Sequence, residues 1–181
     1  ATINGHHMLW LDVFFRNATF LADGWVPTVL ALLLLFFKDL RSFMMMGVSC
    51  AGSAIIVQTL KHTVFDDCDR PGMFAEELGK MDWVQGIEML HYNSFPSGHS
   101  TAAFSMCLAL VVVLCRKHWV LPLFALAVLL GFSRIWLSQH FTEDVLAGST
   151  LGTLTAFAVH HWLYESRFAQ KRWLGKRLLP R

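Results

Sequence analysis

Charge is what this sequence has least of. Acidic and basic residues make up 15% of its 181 residues, against about 25% in an average soluble domain. That is too little to clothe a water-facing surface when 55% of the chain is hydrophobic. Disorder is excluded on the same grounds, because 15 Phe and 7 Trp cannot stay solvated. A formal net charge of +2 provides no basic field, so no nucleic-acid partner is expected. Cysteine is sparse as well. Cys50, Cys107 and Cys115 lie in apolar runs, where a thiol behaves as a small hydrophobe, and Cys68 has no evident partner. No disulfide framework follows from that pattern. The opening residues Ala1-Thr2-Ile3-Asn4-Gly5 are polar and lack a basic start, so no cleavable signal is expected there. The absence of an initial Met leaves room for native residues ahead of Ala1. Neither an internal repeat nor a low-complexity tract is present. What remains is one domain, residues 1–181, that uses lipid as part of its solvent.

Five apolar runs are present: Trp25–Phe37, Phe43–Leu60, Ser100–Cys115, Trp119–Leu137 and Val145–Tyr164. A helix crosses a bilayer core with about 20 residues, and the second, fourth and fifth runs come within a few of that. The expected fold class is therefore all-α, a membrane bundle of about five transmembrane helices. Before the first run, Met8–Leu11, Val13–Phe15 and Phe20-Leu21 alternate with Asp12, Arg16 and Asn17. That pattern predicts an amphipathic helix lying in the interface within residues 1–24.

The charges set a topology. If the side carrying Lys38 and Arg41 is the cytoplasm, five spans put Arg116-Lys117 there too. The tail, residues 165–181, falls on the same side with Arg167, Lys171, Arg172, Lys176, Arg177 and Arg181. Ten of the 15 basic residues then share one side with only two acids, Asp39 and Glu165. Such bias follows the positive-inside rule. It implies a bacterial-type inner membrane protein, with residues 61–99 forming an outer loop.

Three clusters fall at the outer face. Lys61 follows the second run, Arg70 lies nine residues on, and Arg134 ends the fourth. Charge at a membrane boundary is costly and marks function by default. Snorkelling could explain one such side chain, but not three on the face that should be depleted of them. The second cluster is Pro96-Ser97-Gly98-His99, just ahead of an apolar helix. Ser is a good cap, Gly98 lets backbone approach a ligand, and free N–H groups at a helix start attract phosphate. The third is Ser133-Arg134, then His140 and Asp144. Four residues apart on a helix, the carboxylate can orient the imidazole and leave its other nitrogen as nucleophile or base.

These residues resemble the signature of the type 2 phosphatidic acid phosphatase superfamily: Lys-x6-Arg-Pro, Pro-Ser-Gly-His, and Ser-Arg-x5-His-x3-Asp. The second and third parts match in full. In the first, eight residues rather than six separate Lys61 from Arg70-Pro71. The resemblance covers roughly residues 55–164. It implies that His140 attacks phosphorus to form a phosphohistidine, with Asp144 holding its ring. His99 would protonate the leaving oxygen and later activate water. Lys61, Arg70, Ser97, Gly98 and Arg134 would bind the phosphoryl oxygens, without metal or other cofactor. It also implies a lipid substrate whose headgroup enters from the outer leaflet.

Other features carry less. Asp66-Asp67-Cys68-Asp69, with Glu143 and Asp144, reads as a solvated acidic loop rather than a magnesium site. His160-His161 near a helix end reads as interfacial, and Met44-Met45-Met46 as lipid-facing or core filler. Ser97 lies in no Gly-x-Ser-x-Gly elbow. The expected function is a lipid phosphatase. The alternative is a non-catalytic binder or transporter of anionic lipid, which would need the cations but not His99, His140 and Asp144. Candidate substrates are undecaprenyl diphosphate, phosphatidylglycerophosphate, phosphatidic acid and the phosphates of lipid A. Seven acids in the Phe65–Asn93 loop favour a compact headgroup.

Overall fold

The computed structural model describes residues 8–74, 76 and 83–179. Six helices carry the fold: α1 (Leu9–Ala18), α2 (Trp25–Phe37), α3 (Leu40–Thr63), α4 (Gly98–Leu114), α5 (Val120–Trp136) and α6 (Thr142–His160). Short turns join them, and no strand occurs among the described residues. The five apolar runs correspond to α2 through α6, so the protein is an all-α membrane bundle.

Three of the helices, α3, α4 and α6, begin where a side chain satisfies a free N–H group. Asp39 caps α3 by accepting from the Ser42 N–H at 2.8 Å. Ser97 caps α4, accepting from the Ser100 N–H at 3.4 Å. Phe141, at the N-cap of α6, has no such group, and Asp144 reaches back to accept its N–H at 2.9 Å. Residues of the second and third motifs therefore also start the helices that carry them.

By length and composition, α3 and the stretch Lys117–Trp136 are long and apolar enough to cross a membrane. The segment Leu9–Ala22 with Trp25–Phe37 makes a third span if the pair, bent by 50°, is counted as one. Helix α4 is apolar but has 17 residues, and α6 opens on Thr142-Glu143-Asp144. The first turns of both are polar and hold motif residues.

Helix α4 lies at the centre, packed by α3, α5 and α6. Its approach to α6 is close because of Gly148 and Gly152. A Cβ at either position would stand 2.3 Å from a carbonyl oxygen of α4 or its cap, Ser97 for Gly148 and Thr101 for Gly152. Small residues four apart are how membrane helices bring their backbones together. On the other side of α4, Ser53 donates to Ser105 at 3.2 Å. Met45 and Met46 are fully buried in the core, whereas Met44 is half-buried.

The expected inner-side charges gather at one end. Lys38 Nζ donates to the Val113 carbonyl near the end of α4. Arg41 donates to the Ala169 carbonyl at 2.6 Å and lies over the Tyr164 ring. Leu40 N–H donates to the Lys176 carbonyl, folding the tail back over the α2–α3 connection. At the opposite end, α1 docks on α5. Its Phe15 is buried against Phe132 and Trp136, and Trp136 Nε1 donates to Asp12 at 2.8 Å. Leu9, Trp10 and Phe14 stay exposed. The helix expected in the interface is thus amphipathic, with one face anchored on the bundle.

Candidate active site

Helix ends and the α3–α4 loop bring the three clusters together at one end of the bundle. Lys61, Arg70 and Arg134 are 7%, 7% and 6% exposed. Lys61 occupies the last turn of α3 and donates Nζ–H to the Asn93 carbonyl at 2.9 Å. Arg70 donates from Nη2 to the same carbonyl at 3.3 Å and from Nε to Tyr92 at 2.8 Å. The exposed turn at Asp66-Asp67 takes up the residues between them, so the longer spacing still delivers both head groups to one acceptor. Arg134, in the last turn of α5, donates Nη1–H to Thr19 Oγ1 at 2.9 Å. Its Nε is buried without a partner among the described residues. Among the described residues, no carboxylate lies within salt-bridge distance of any of the three. Burying an ion costs several kcal/mol, so three such ions together call for an anion.

His140 lies between α5 and α6 and is 3% exposed. Its Nδ1 stands 3.2 Å from Asp144 Oδ2. An ionised carboxylate only accepts, so Nδ1 carries the proton and Nε2 keeps its lone pair. Nε2 faces Arg70 Nη1 at 3.4 Å, toward the cations. Asp144 Oδ2 also accepts from Ser94 Oγ at 2.5 Å and from the Phe141 N–H. Three donors fix that oxygen, and through it the ring. Burial, opposed by the Asp144 bond and reinforced by Arg70, Arg134 and Lys61, holds the His140 pKa far below its ordinary 6.5. Burial likewise lowers that of Arg70, against the pull of Asp144.

The Ser97 N–H donates to the Asp144 carbonyl at 3.0 Å, tying the second motif to the third. Ser97 Oγ is fully buried and accepts from Ser100 Oγ at 2.9 Å. At Gly98, the nearest protein atom to an added Cβ would be Val57 Cγ1, at 4.0 Å. Nothing in the protein itself demands glycine there. His99, in the first turn of α4, has its Nε2 2.9 Å from Asp23 Oδ1.

All eight residues singled out in the sequence thus meet at one end. Sequence reasoning missed their holders: Thr19, Asp23, Ser94, and Gln139, whose carbonyl accepts from Arg70 at 3.2 Å. Ser94 and Gln139 flank motif residues, and that proximity was their only signal. Among the described residues, no group of three His, Cys, Asp or Glu side chains converges. His161 Nδ1 pairs with Glu165 at 2.8 Å at the far end.

The family model of the PAP2 superfamily matches residues 42–168. The chain is 25% identical to lipid A 4'-phosphatase of Porphyromonas gingivalis, the alignment covering 96% of this chain and 74% of that protein. It is 26% identical to undecaprenyl-diphosphatase of Sulfolobus acidocaldarius, over 87% of this chain and 69% of that one. Among solved structures, Aquifex aeolicus LpxE superposes with a TM-score of 0.75 at 29% identity, over 87% of this chain and 90% of that one. The matched span contains all three motifs and four of the six helices, from just inside α3 through α6. With the motif residues assembled at one end of a helical bundle, the chain belongs to the PAP2 superfamily and is a membrane phosphatase.

Proposed function

We propose that the protein hydrolyses a phosphate monoester or diphosphate of a membrane lipid, without a metal, through a phosphohistidine on His140. The observation that carries this reading is the cluster of three buried cations, without a carboxylate partner among the described residues, one of which, Arg70, faces the lone pair of an oriented imidazole at 3.4 Å. A phosphoryl group offers the compensating charge, and the buried Arg134 Nε offers one of its oxygens a donor.

His140 Nε2 attacks phosphorus, and the bond to the lipid oxygen breaks as the N–P bond forms. Lys61, Arg70 and Arg134 take up the charge on the equatorial oxygens, with Ser97 and the Gly98 amide as further donors. His99 gives its proton to the departing oxygen. It then takes one from water as that water attacks the phosphohistidine, which releases phosphate and restores Nε2. A binder of anionic lipid would use the cations and have no need of the His140–Asp144 pair.

The substrate is a lipid because the site opens at the end of a membrane bundle, beside apolar space. A slot of about 270 Å³ is lined by Gly24, Pro27, Gly47, Ala51, Ala54 and Ala102. Gly24 follows Asp23, and Ala102 is one turn beyond His99, so an acyl or prenyl chain has room next to the reacting phosphate. A second cavity of about 550 Å³ joins four phenylalanine rings to Asp69 and Glu143 near Asp144. Those acids disfavour polyanionic headgroups, and a compact headgroup fits best. The basic end would face the cytoplasm and the site the periplasm or exterior, in an inner-membrane setting.

The test is kcat/KM for undecaprenyl diphosphate, phosphatidylglycerophosphate, phosphatidic acid and lipid A, side by side with EDTA present. Phosphate release with a clear preference among them is expected. No turnover on any of the four would leave the anionic-lipid binder as the better reading.

A further inference from the structure

We infer that Asp23 is the positioning residue of the general acid, and that the bend in the N-terminal helix pair exists to deliver it. The inference rests on the proposed acid role of His99. Asp23 lies outside the residues matched by the family model, which begin at 42, and 76 positions from its partner.

The local geometry is built for this contact. A 3-10 turn, Thr19–Ala22, follows α1, and Asp23 ends it with extended backbone at φ −72° and ψ 145°. The chain then re-enters a helix at Trp25, and the two segments meet at 50°. Asp23 sets that junction with its own backbone, donating its N–H to Phe20 and accepting from Val26. At this break Thr19 and Asp23 both turn toward the site. Thr19, 8% exposed, accepts from Arg134, and Asp23 accepts from His99. One short turn thus holds one residue from each of the second and third motifs.

The chemistry follows from which nitrogen is engaged. With Nε2–H directed at Asp23 Oδ1, the ring is held in one orientation and Nδ1 is the nitrogen free to exchange a proton with substrate. His99 must also carry a positive charge in a field set by Arg134 and Arg70. Asp23, 2.9 Å from its ring, supplies charge of the opposite sign. The arrangement mirrors the pair at His140 and Asp144. Each histidine of the reaction has its own carboxylate, one from within the third motif and one from the N-terminal bend.

The experiment compares Asp23→Asn, Asp23→Glu and His99→Ala, alone and as the Asp23→Asn/His99→Ala double variant. Substrates are a lipid phosphate monoester, with a poor leaving group, and p-nitrophenyl phosphate, whose leaving oxygen needs no proton. Thermal unfolding in detergent is measured for each. Asp23→Asn is expected to lower kcat on the lipid about 10²-fold, within the range for general acid catalysis, with KM little changed. The burst of p-nitrophenolate should be nearly preserved, and Asp23→Glu should recover part of the loss. In the double variant the loss should be no larger than in His99→Ala alone. Equal losses on both substrates, or losses that multiply in the double variant, would overturn the proposal and make Asp23 a structural residue. If His99→Ala itself hurt both substrates equally, the acid assignment would fall, and the role of Asp23 with it.

Discussion

Both ends of the bundle carry cations, and the two ends treat them in opposite ways. At the basic end Arg116, Lys117, Arg167, Lys171, Arg172, Lys176 and Arg177 are exposed. At the other end Lys61, Arg70 and Arg134 are nearly sealed from solvent and held by backbone carbonyls and a hydroxyl. An exposed cation keeps its hydration and costs little, so it can orient the protein without doing chemistry. A buried one gives up that hydration and must recover it from a partner. Number of charges separates the two ends for topology; burial separates them for chemistry.

The comparison breaks most sharply under substitution of a buried cation. Arg134→Gln should lower kcat/KM about 10²–10³-fold, the usual worth of one donor to a developing oxyanion. Binding of a phosphate analogue should weaken alongside, measured by titration calorimetry. A loss below tenfold would remove Arg134 from the cage.

Two glycines sharpen the comparison within the site itself. Gly148→Ala drives a methyl into the Ser97 carbonyl, so the α4–α6 contact must open. It should cost about 1–3 kcal/mol by the usual penalty of overpacking, seen as a lower Tm, with activity falling as Ser97 shifts. Gly98→Ala meets no protein atom closer than 4.0 Å. It should leave Tm unchanged while weakening phosphate-analogue binding. Equal effects of the two on Tm would contradict the contact geometry.

A smaller effect is expected from pH. The unfolded chain takes up a proton at His140 near pH 6.5, whereas the folded chain, with that pKa pushed down by burial, does not. Below pH 6.5 the unfolded state therefore binds more protons, so this contribution to stability is complete above pH 6.5 and declines as pH falls. His140→Gln should flatten the dependence of Tm on pH between 6.5 and the acid range. An unchanged slope would mean that His140 is not held neutral. The smallest effect belongs to the basic end. Arg172→Gln with Lys176→Gln should leave turnover within about twofold and stability within about 0.5 kcal/mol per substitution, as detergent assays would show.

Much of this arrangement was legible in the sequence, for identifiable reasons. The helices were readable because apolar length is a local property, and α2 covers the expected Trp25–Phe37. The eight candidate residues were readable because they fall in three short motifs, two of them with every spacing intact. Thr19 and Asp23 were not, since they act on residues 115 and 76 positions away across a bend that apolarity does not encode. Gly148 and Gly152 carried a signal, the four-residue spacing of small side chains, hidden within an apolar run that read simply as a span. The double duty of Ser97 and Asp144, as helix caps and as motif residues, was not legible either, because a cap is defined by the backbone it meets.

Covalent capture of the phosphoryl group tests the central claim most directly. Enzyme mixed with a radiolabelled lipid phosphate and quenched within milliseconds should carry label that survives alkali and is released by acid, as a phosphohistidine does. The label should accumulate in His99→Ala, where water attack is slowed, and be absent from His140→Ala, which should still bind a phosphate analogue through Lys61, Arg70 and Arg134. Label of the same lability and yield in His140→Ala would contradict the account, because phosphorus would then be bonding to some other residue.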